Sequence, residues 1–188
     1  MLTDQQLKRL HEAAQAAVRL ERLKDVPAAL LVAQWAVESG WGFAQPGSNC
    51  FGIKNFNGST GRQLLRTREW FTDDEAEMFL KRGDSRTCVL LDPEQVNGAR
   101  RAYVVRDWFA TFPSLEDCFT KRAALFFQGR YGVFAIAYKQ DRNVEACIRG
   151  IAPIYATAPD YADALLGVIR RHEVVDALDA ARNEKEIA

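Results

Sequence analysis

The sequence predicts an α+β chain in which helices at both ends enclose a short β-containing stretch. Three observations carry this. Apolar residues recur at helical spacing in the N-terminal part, two central segments alternate with period two and are rich in β-branched and aromatic residues, and helical patterning resumes after Pro113.

Taken in order, Thr3 with Gln6 makes a capping box, after which Leu7, Leu10, Ala14, Ala17 and Val18 define a first helix ending near Leu23. Pro27 suits the first turn of a second helix, whose apolar run over residues 28–37 is interrupted by little but Gln34. Such a helix is buried on most sides. Gly40 and Gly42 then stop it, because glycine readily adopts positive φ, and Glu38 is left on its last turn. Residues 45–61 read as an irregular loop with an apolar centre of Cys50, Phe51 and Ile53. Strands are expected over 63–71 and 100–109, with Leu65, Thr67, Glu69 and Phe71 sharing one face of the first. Between them, 73–81 reads as helix and 87–91 as a third short strand. Ser114 caps a helix over 115–127, residues 144–151 form another, and a last helix from about Asp160 carries Tyr161, Leu165, Ile169 and Val175 on one stripe before a charged tail at 182–186.

The composition narrows the possible functions. A chain of 188 residues suits one compact domain over 1–188, burying roughly two thirds of its unfolded surface. With 48% hydrophobic and 27% charged residues it is neither disordered nor collagen-like. Lysine plus arginine equal aspartate plus glutamate at 25 each, so no summed field favours nucleic acid or an anionic membrane, and neither is expected as a partner. Cys50, Cys88, Cys118 and Cys147 are widely spaced and only His11 and His172 accompany them, so neither a metal nor a cofactor is expected. Sparse cysteines suit synthesis in a reducing compartment. The N-terminal stretch lacks the apolar core of a secretory signal, and no run approaches the roughly 20 apolar residues of a membrane span. Synthesis in the cytoplasm, without membrane insertion, is therefore expected.

The most informative string is AQWAVESGWG at 33–42, followed by NCFGIK at 49–54. A glutamate ending an apolar helix, with Trp35 and Trp41 nearby in sequence, is expected to have its charged form disfavoured by desolvation and its pKa raised. A carboxyl still protonated near neutrality is what donation to a glycosidic leaving oxygen requires. An arbitrary glutamate at a helix end is more often simply solvated, and it is the flanking residues that reverse this reading.

Those flanking residues resemble the signature of the glucosaminidase domains of glycoside hydrolase family 73, which includes the flagellar rod-cap hydrolase and many autolysins. The likeness continues in order along the chain. Thr67, Arg68 and Glu69 are similar to the family's T-x-E strand, FATFPSLEDCF at 109–119 to its FRxYxS segment, Arg130 and Tyr131 to a recurring pair, and IYATAPDYADALLGVI at 154–169 to its Y-A-T-D-P-x-Y-A ending. It spans about residues 27–170, with the N-terminal helix and the C-terminal helix and tail appended. Two departures stand out: Ala158 replaces the acid of ATDP, and Ala110 replaces the arginine of FRxY, with Arg106 four residues earlier.

The resemblance implies a lysozyme-like α+β fold, with a mainly helical lobe and a small β lobe flanking a saccharide cleft. It also implies hydrolysis of the β-1,4 bond between N-acetylglucosamine and N-acetylmuramic acid in peptidoglycan. Glu38 corresponds to the catalytic acid, Glu69 to the second carboxylate and Tyr155 to the tyrosine that steadies the sugar. Asp73, Asp74, Glu75 and Asp84 lie near enough in sequence to compete with Glu69. Attack by the substrate's acetamido oxygen is slightly favoured over retaining or inverting carboxylate pairs.

Among substrate-binding candidates, Phe51, Trp70 and Trp108 are suited to stacking on sugar faces and Asn49 to hydrogen bonding, although a core or loop role is at least as common for each. The expected partner is a peptidoglycan glycan strand, met by a monomer. Action on the bacterial wall then requires delivery or lysis, as for a phage lysin or a type VI effector with its delivery machinery and immunity protein. The alternatives are a muramidase or lytic transglycosylase on the same fold, or a non-catalytic wall-binding module.

Overall fold

The structure is a computed structural model that describes residues 1–55, 61–156 and 160–184. Ala158, residues 56–60 of the loop and the end of the charged tail lie outside the described residues. The chain divides into two compact units, one of Met1–Phe51 with Phe112–Ala188 and one of Gly52–Thr111. The first is helical and the second holds the sheet, so the α+β class is the one expected.

In the helical unit, α1 (Asp4–Lys24) opens on the expected capping box, Thr3 accepting from the Gln6 amide while the Gln6 side chain accepts from the Thr3 amide. α2 (Ala28–Ser39) is the core helix: of its 12 residues only Val37 and Glu38 are exposed. Burial of Leu30, Leu31, Val32 and Trp35 contributes about 1.5–3 kcal/mol per side chain and fixes the helix rigidly. Pro27 stands at the N-cap and Gly40 closes the helix at φ +55°. α4 (Leu115–Leu125) starts at Ser114, whose hydroxyl accepts from the Asp117 amide.

The C-terminal half is helical, but its helices differ from the sequence reading. α5 (Gly132–Asp141) was not foreseen, since its apolar residues Val133 and Ile136 are exposed and blur the periodicity. α6 (Val144–Tyr155) continues past Ile151 through Pro153. The single last helix is in fact two, α7 (Tyr161–Ile169) and α8 (His172–Asn183), broken at Arg171 in extended backbone. The break rotates the stripe, so that Val174 and Leu178 are buried while Val175 is exposed. α1 packs on α8, α2 and α4, and α2 packs on α7.

In the second unit, β1 (Arg62–Phe71), β2 (Thr87–Asn97) and β3 (Arg100–Ala110) form an antiparallel sheet in the order β1-β3-β2. α3 (Asp73–Lys81) is capped by a reciprocal Thr72–Glu75 box. Its Ala76 and Phe79 pack on Tyr103, Val105, Phe71, Cys88 and Leu90. β2 runs six residues beyond the expected end at Leu91, because the edge position tolerates Pro93 and two register shifts near it.

Candidate active site

The ESGWG string builds a tight turn that fixes the end of α2. Ser39 Oγ donates to the Trp35 carbonyl at 2.5 Å and accepts from the Gly42 amide at 2.8 Å, and Arg9 Nη1 donates to the Gly42 carbonyl at 2.5 Å. Gly42, at φ +80°, leaves no room for a Cβ, which would stand 2.9 Å from the Trp35 ring. Trp41 itself takes φ +62° and sets its ring edge-on to Trp35, with the Arg171 guanidinium 5.5 Å from its centroid.

Glu38 projects from this anchored turn and is exposed. Trp35, which the sequence sets one turn before it, points inward and is buried. A carboxylate on a last helical turn also lies at the negative end of the helix dipole. What holds Glu38 instead is a hydrogen bond: Tyr161 Oη, from the start of α7, donates to Glu38 Oε1 at 2.7 Å.

Behind that contact lies a buried polar chain. Gln34 Nε2 donates to Tyr161 Oη at 3.4 Å, and Arg122 donates to Gln34 Oε1 from Nε at 3.1 Å and Nη2 at 3.0 Å. The Arg122 guanidinium also stands 4.2 Å from the Tyr155 ring centroid, and the Tyr155 and Tyr161 rings lie 5.4 Å apart. Tyr155 Oη donates to the Phe51 carbonyl at 3.4 Å. Burial pushes the Tyr155 phenol up to about 12, against the opposing pull of Arg122. Gln34, Arg122 and Tyr161 escaped the sequence reading as site residues, since Gln34 stood out only as a break in an apolar run and Tyr161 fitted a core stripe. The signal available was a lone amide in an otherwise apolar helix, one turn before Glu38.

The other expected residues divide between the units. Phe51 is core, its ring 5.0 Å from that of Phe119, and Asn49 is likewise buried. They are 4% and 3% exposed, respectively. Cys50 and Cys118 are free, buried thiols with their sulfurs 3.5 Å apart.

In the sheet unit, Glu69 pairs with Lys54 Nζ at 2.9 Å, and the same ammonium reaches Asp107 at 3.0 Å. Arg86 Nε closes the cluster on Asp107 at 2.8 Å. Burial alone would raise the Asp107 carboxyl, but the hydrogen bonds from Arg86 and Lys54 outweigh it and hold the group below the usual carboxylate range. Asp107 and Lys54 were not foreseen as partners of Glu69. The register explains the grouping, because Leu65 lies opposite Asp107, Thr67 opposite Val105 and Glu69 opposite Tyr103, all on one sheet face. Trp70 and Trp108 fall on the other face, where Arg68 and Arg62 respectively lie against their rings. The pleat thus sets both tryptophans on the face opposite that of Glu69. Arg106 is exposed on that second face too, opposite Arg66, while Ala110 is buried. Of the competing carboxylates, Asp73 is held by Arg101 and Tyr103, Glu75 by Thr72 and Arg100, and Asp84 by Arg62.

The family described as mannosyl-glycoprotein endo-beta-N-acetylglucosaminidase matches residues 14–174. The chain belongs to the glucosaminidase family. It is thus a glycoside hydrolase, and its architecture is of the lysozyme-like kind that the motifs implied. Among solved structures it is similar to the peptidoglycan hydrolase from Sphingomonas sp. A1, at 26% identity and a TM-score of 0.58, covering 93% of this chain and 97% of that one. It is also similar to the C-terminally truncated glycoside hydrolase domain of FlgJ from Salmonella typhimurium, at 26% identity and a TM-score of 0.53, covering 88% and 94%. The catalytic domain of the autolysin Auto from Listeria monocytogenes shares the fold, with a TM-score of 0.67 at 19% identity over 94% and 89% of the two chains. A comparison with curated protein sequences finds no match.

Proposed function

We propose that this glucosaminidase hydrolyses the β-1,4 bond between N-acetylglucosamine and N-acetylmuramic acid in peptidoglycan, with Glu38 as the general acid. The observation that carries the reading is the placement of Glu38: an exposed carboxyl at the end of an otherwise buried helix, its turn locked by Ser39 and Gly42 and one oxygen held by Tyr161. A proton donor has to be both rigid and reachable, and this carboxyl meets both conditions. The peptidoglycan substrate is supported by the Sphingomonas hydrolase, whose fold and sequence this chain resembles over nearly its whole length.

Protonation of the glycosidic oxygen by Glu38 lets the C–O bond break towards an oxocarbenium-like state. The substrate acetamido oxygen then attacks the anomeric carbon, steadied by the neutral Tyr155 phenol, and water later opens the ring so formed. Glu69, balanced by Lys54, supplies negative charge to stabilise the developing cation or to activate that water.

Glu38→Gln should abolish release of reducing ends from purified peptidoglycan, a loss of at least about 10²–10⁴-fold, while circular dichroism stays unchanged. The liberated saccharides should reduce at N-acetylglucosamine. Reducing or anhydro-muramic ends would instead establish a muramidase or a lytic transglycosylase, and wall binding without any reducing ends a binding module.

A further inference from the structure

The polar chain behind Glu38 runs in one direction. A guanidinium only donates hydrogen bonds, so Arg122, itself 3% exposed, must face the oxygen of the Gln34 amide. This turns Nε2 towards Tyr161, where it occupies the phenol oxygen and leaves the phenol proton for Glu38 Oε1. Gln34 and Glu38 are one turn apart on α2, so Tyr161 bridges two groups carried by the same rigid helix. Burial and the bond to Glu38 both raise the Tyr161 phenol, so it keeps its proton throughout the physiological range. No member of the chain ahead of Glu38 is exposed: Gln34 is fully buried and Tyr161 is 7% exposed.

We propose that Arg122, Gln34 and Tyr161 are positioning residues, a one-way donor chain that occupies Glu38 Oε1 and so reserves Oε2 for the proton given to the glycosidic oxygen. The inference rests on Glu38 being the general acid. A glutamate on an exposed last turn otherwise rotates about its side-chain bonds and presents either oxygen at random. With Oε1 tied to a phenol that cannot reverse its own bond, one rotamer and one oxygen face the substrate. Arg122 sets this geometry through two neutral groups, Gln34 and Tyr161.

The test compares kcat and KM on soluble glycan strands for Tyr161→Phe, Gln34→Glu and Glu38→Gln, with thermal midpoints measured alongside. Tyr161→Phe removes the last donor and should lower kcat by roughly tenfold to a hundredfold, the range for a misplaced catalytic group. KM should stay within about twofold, since a positioning residue does not bind substrate. Because phenylalanine also strands the Gln34 amide, the second variant matters. Gln34→Glu keeps an acceptor for Arg122 but offers Tyr161 an acceptor in place of a donor, turning the phenol away from Glu38. It should lower kcat by a similar factor in a folded protein. Wild-type kcat in either folded variant, or a loss confined to KM, overturns the proposal. Full activity in Glu38→Gln overturns the acid assignment itself, a different failure that the third variant identifies.

Discussion

The two units treat their key carboxylates differently. In the helical unit, the buried cation Arg122 is linked to Glu38 through two neutral groups, the last of them a phenol that donates to its carboxylate. In the sheet unit, Glu69 and Asp107 meet cations directly, through Lys54 and Arg86. A neutral partner holds a carboxyl in place while letting its charge change during a reaction, whereas an ammonium in direct contact balances a charge that stays put. The first arrangement suits a group that gives up a proton, and the second suits a charge that stays fixed.

This contrast is broken most severely at Asp107. Its side chain is fully buried between Arg86 and Lys54, so Asp107→Ala should cost about 3–5 kcal/mol in the stability of the sheet unit, read by hydrogen exchange along β1 and β3. The helical unit's exchange should change little. The same group predicts an acid limb. Its folded pKa is depressed, so its contribution is complete above the unfolded value of about 3.9 and is lost as pH falls through the folded one. Exchange protection in the sheet should therefore weaken from about pH 4 downwards. Asp107→Asn should flatten that limb, and an unchanged limb would show that other carboxyls carry it.

A smaller effect is expected at the turn that carries Glu38. Gly42→Ala forces a non-glycine residue to φ +80° and drives its Cβ to 2.9 Å from Trp35. It should cost about 1–3 kcal/mol in urea unfolding and lower kcat, since Glu38 shifts with the turn. The smallest change in stability is expected for Glu69→Gln, within about 1 kcal/mol, because the pair with Lys54 is partly solvated and Asp107 still holds the ammonium. Its effect on kcat is the sharper readout. A large loss assigns Glu69 to the chemistry, and no loss leaves its pair with Lys54 as structure alone.

The sequence by itself determined the elements whose signals are local: the Thr3–Gln6 box, the apolar run of α2, the stop at Gly40 and the position of Glu38 on the last turn. Each depends on residues within a turn or two of one another, and the ordered motifs were enough to indicate the family. Signals that depend on packing were not legible. Nothing local showed that the helical stripe after Asp160 breaks at Arg171, or that α6 carries Pro153 within it.

The site divides along the same line. Sequence placed Glu38 but attributed its environment to the neighbouring tryptophans, which tertiary packing turns inward or aside. Only the fold brings Tyr161 and Arg122, 127 and 88 residues from Gln34 along the chain, into contact with that amide. Likewise, only strand register sets Trp70 and Trp108 on one face and Glu69 on the other. The physical reason is common to both cases. Hydrogen-bond partners and sheet faces are chosen by which distant segments share a surface, and no short stretch of sequence contains that choice.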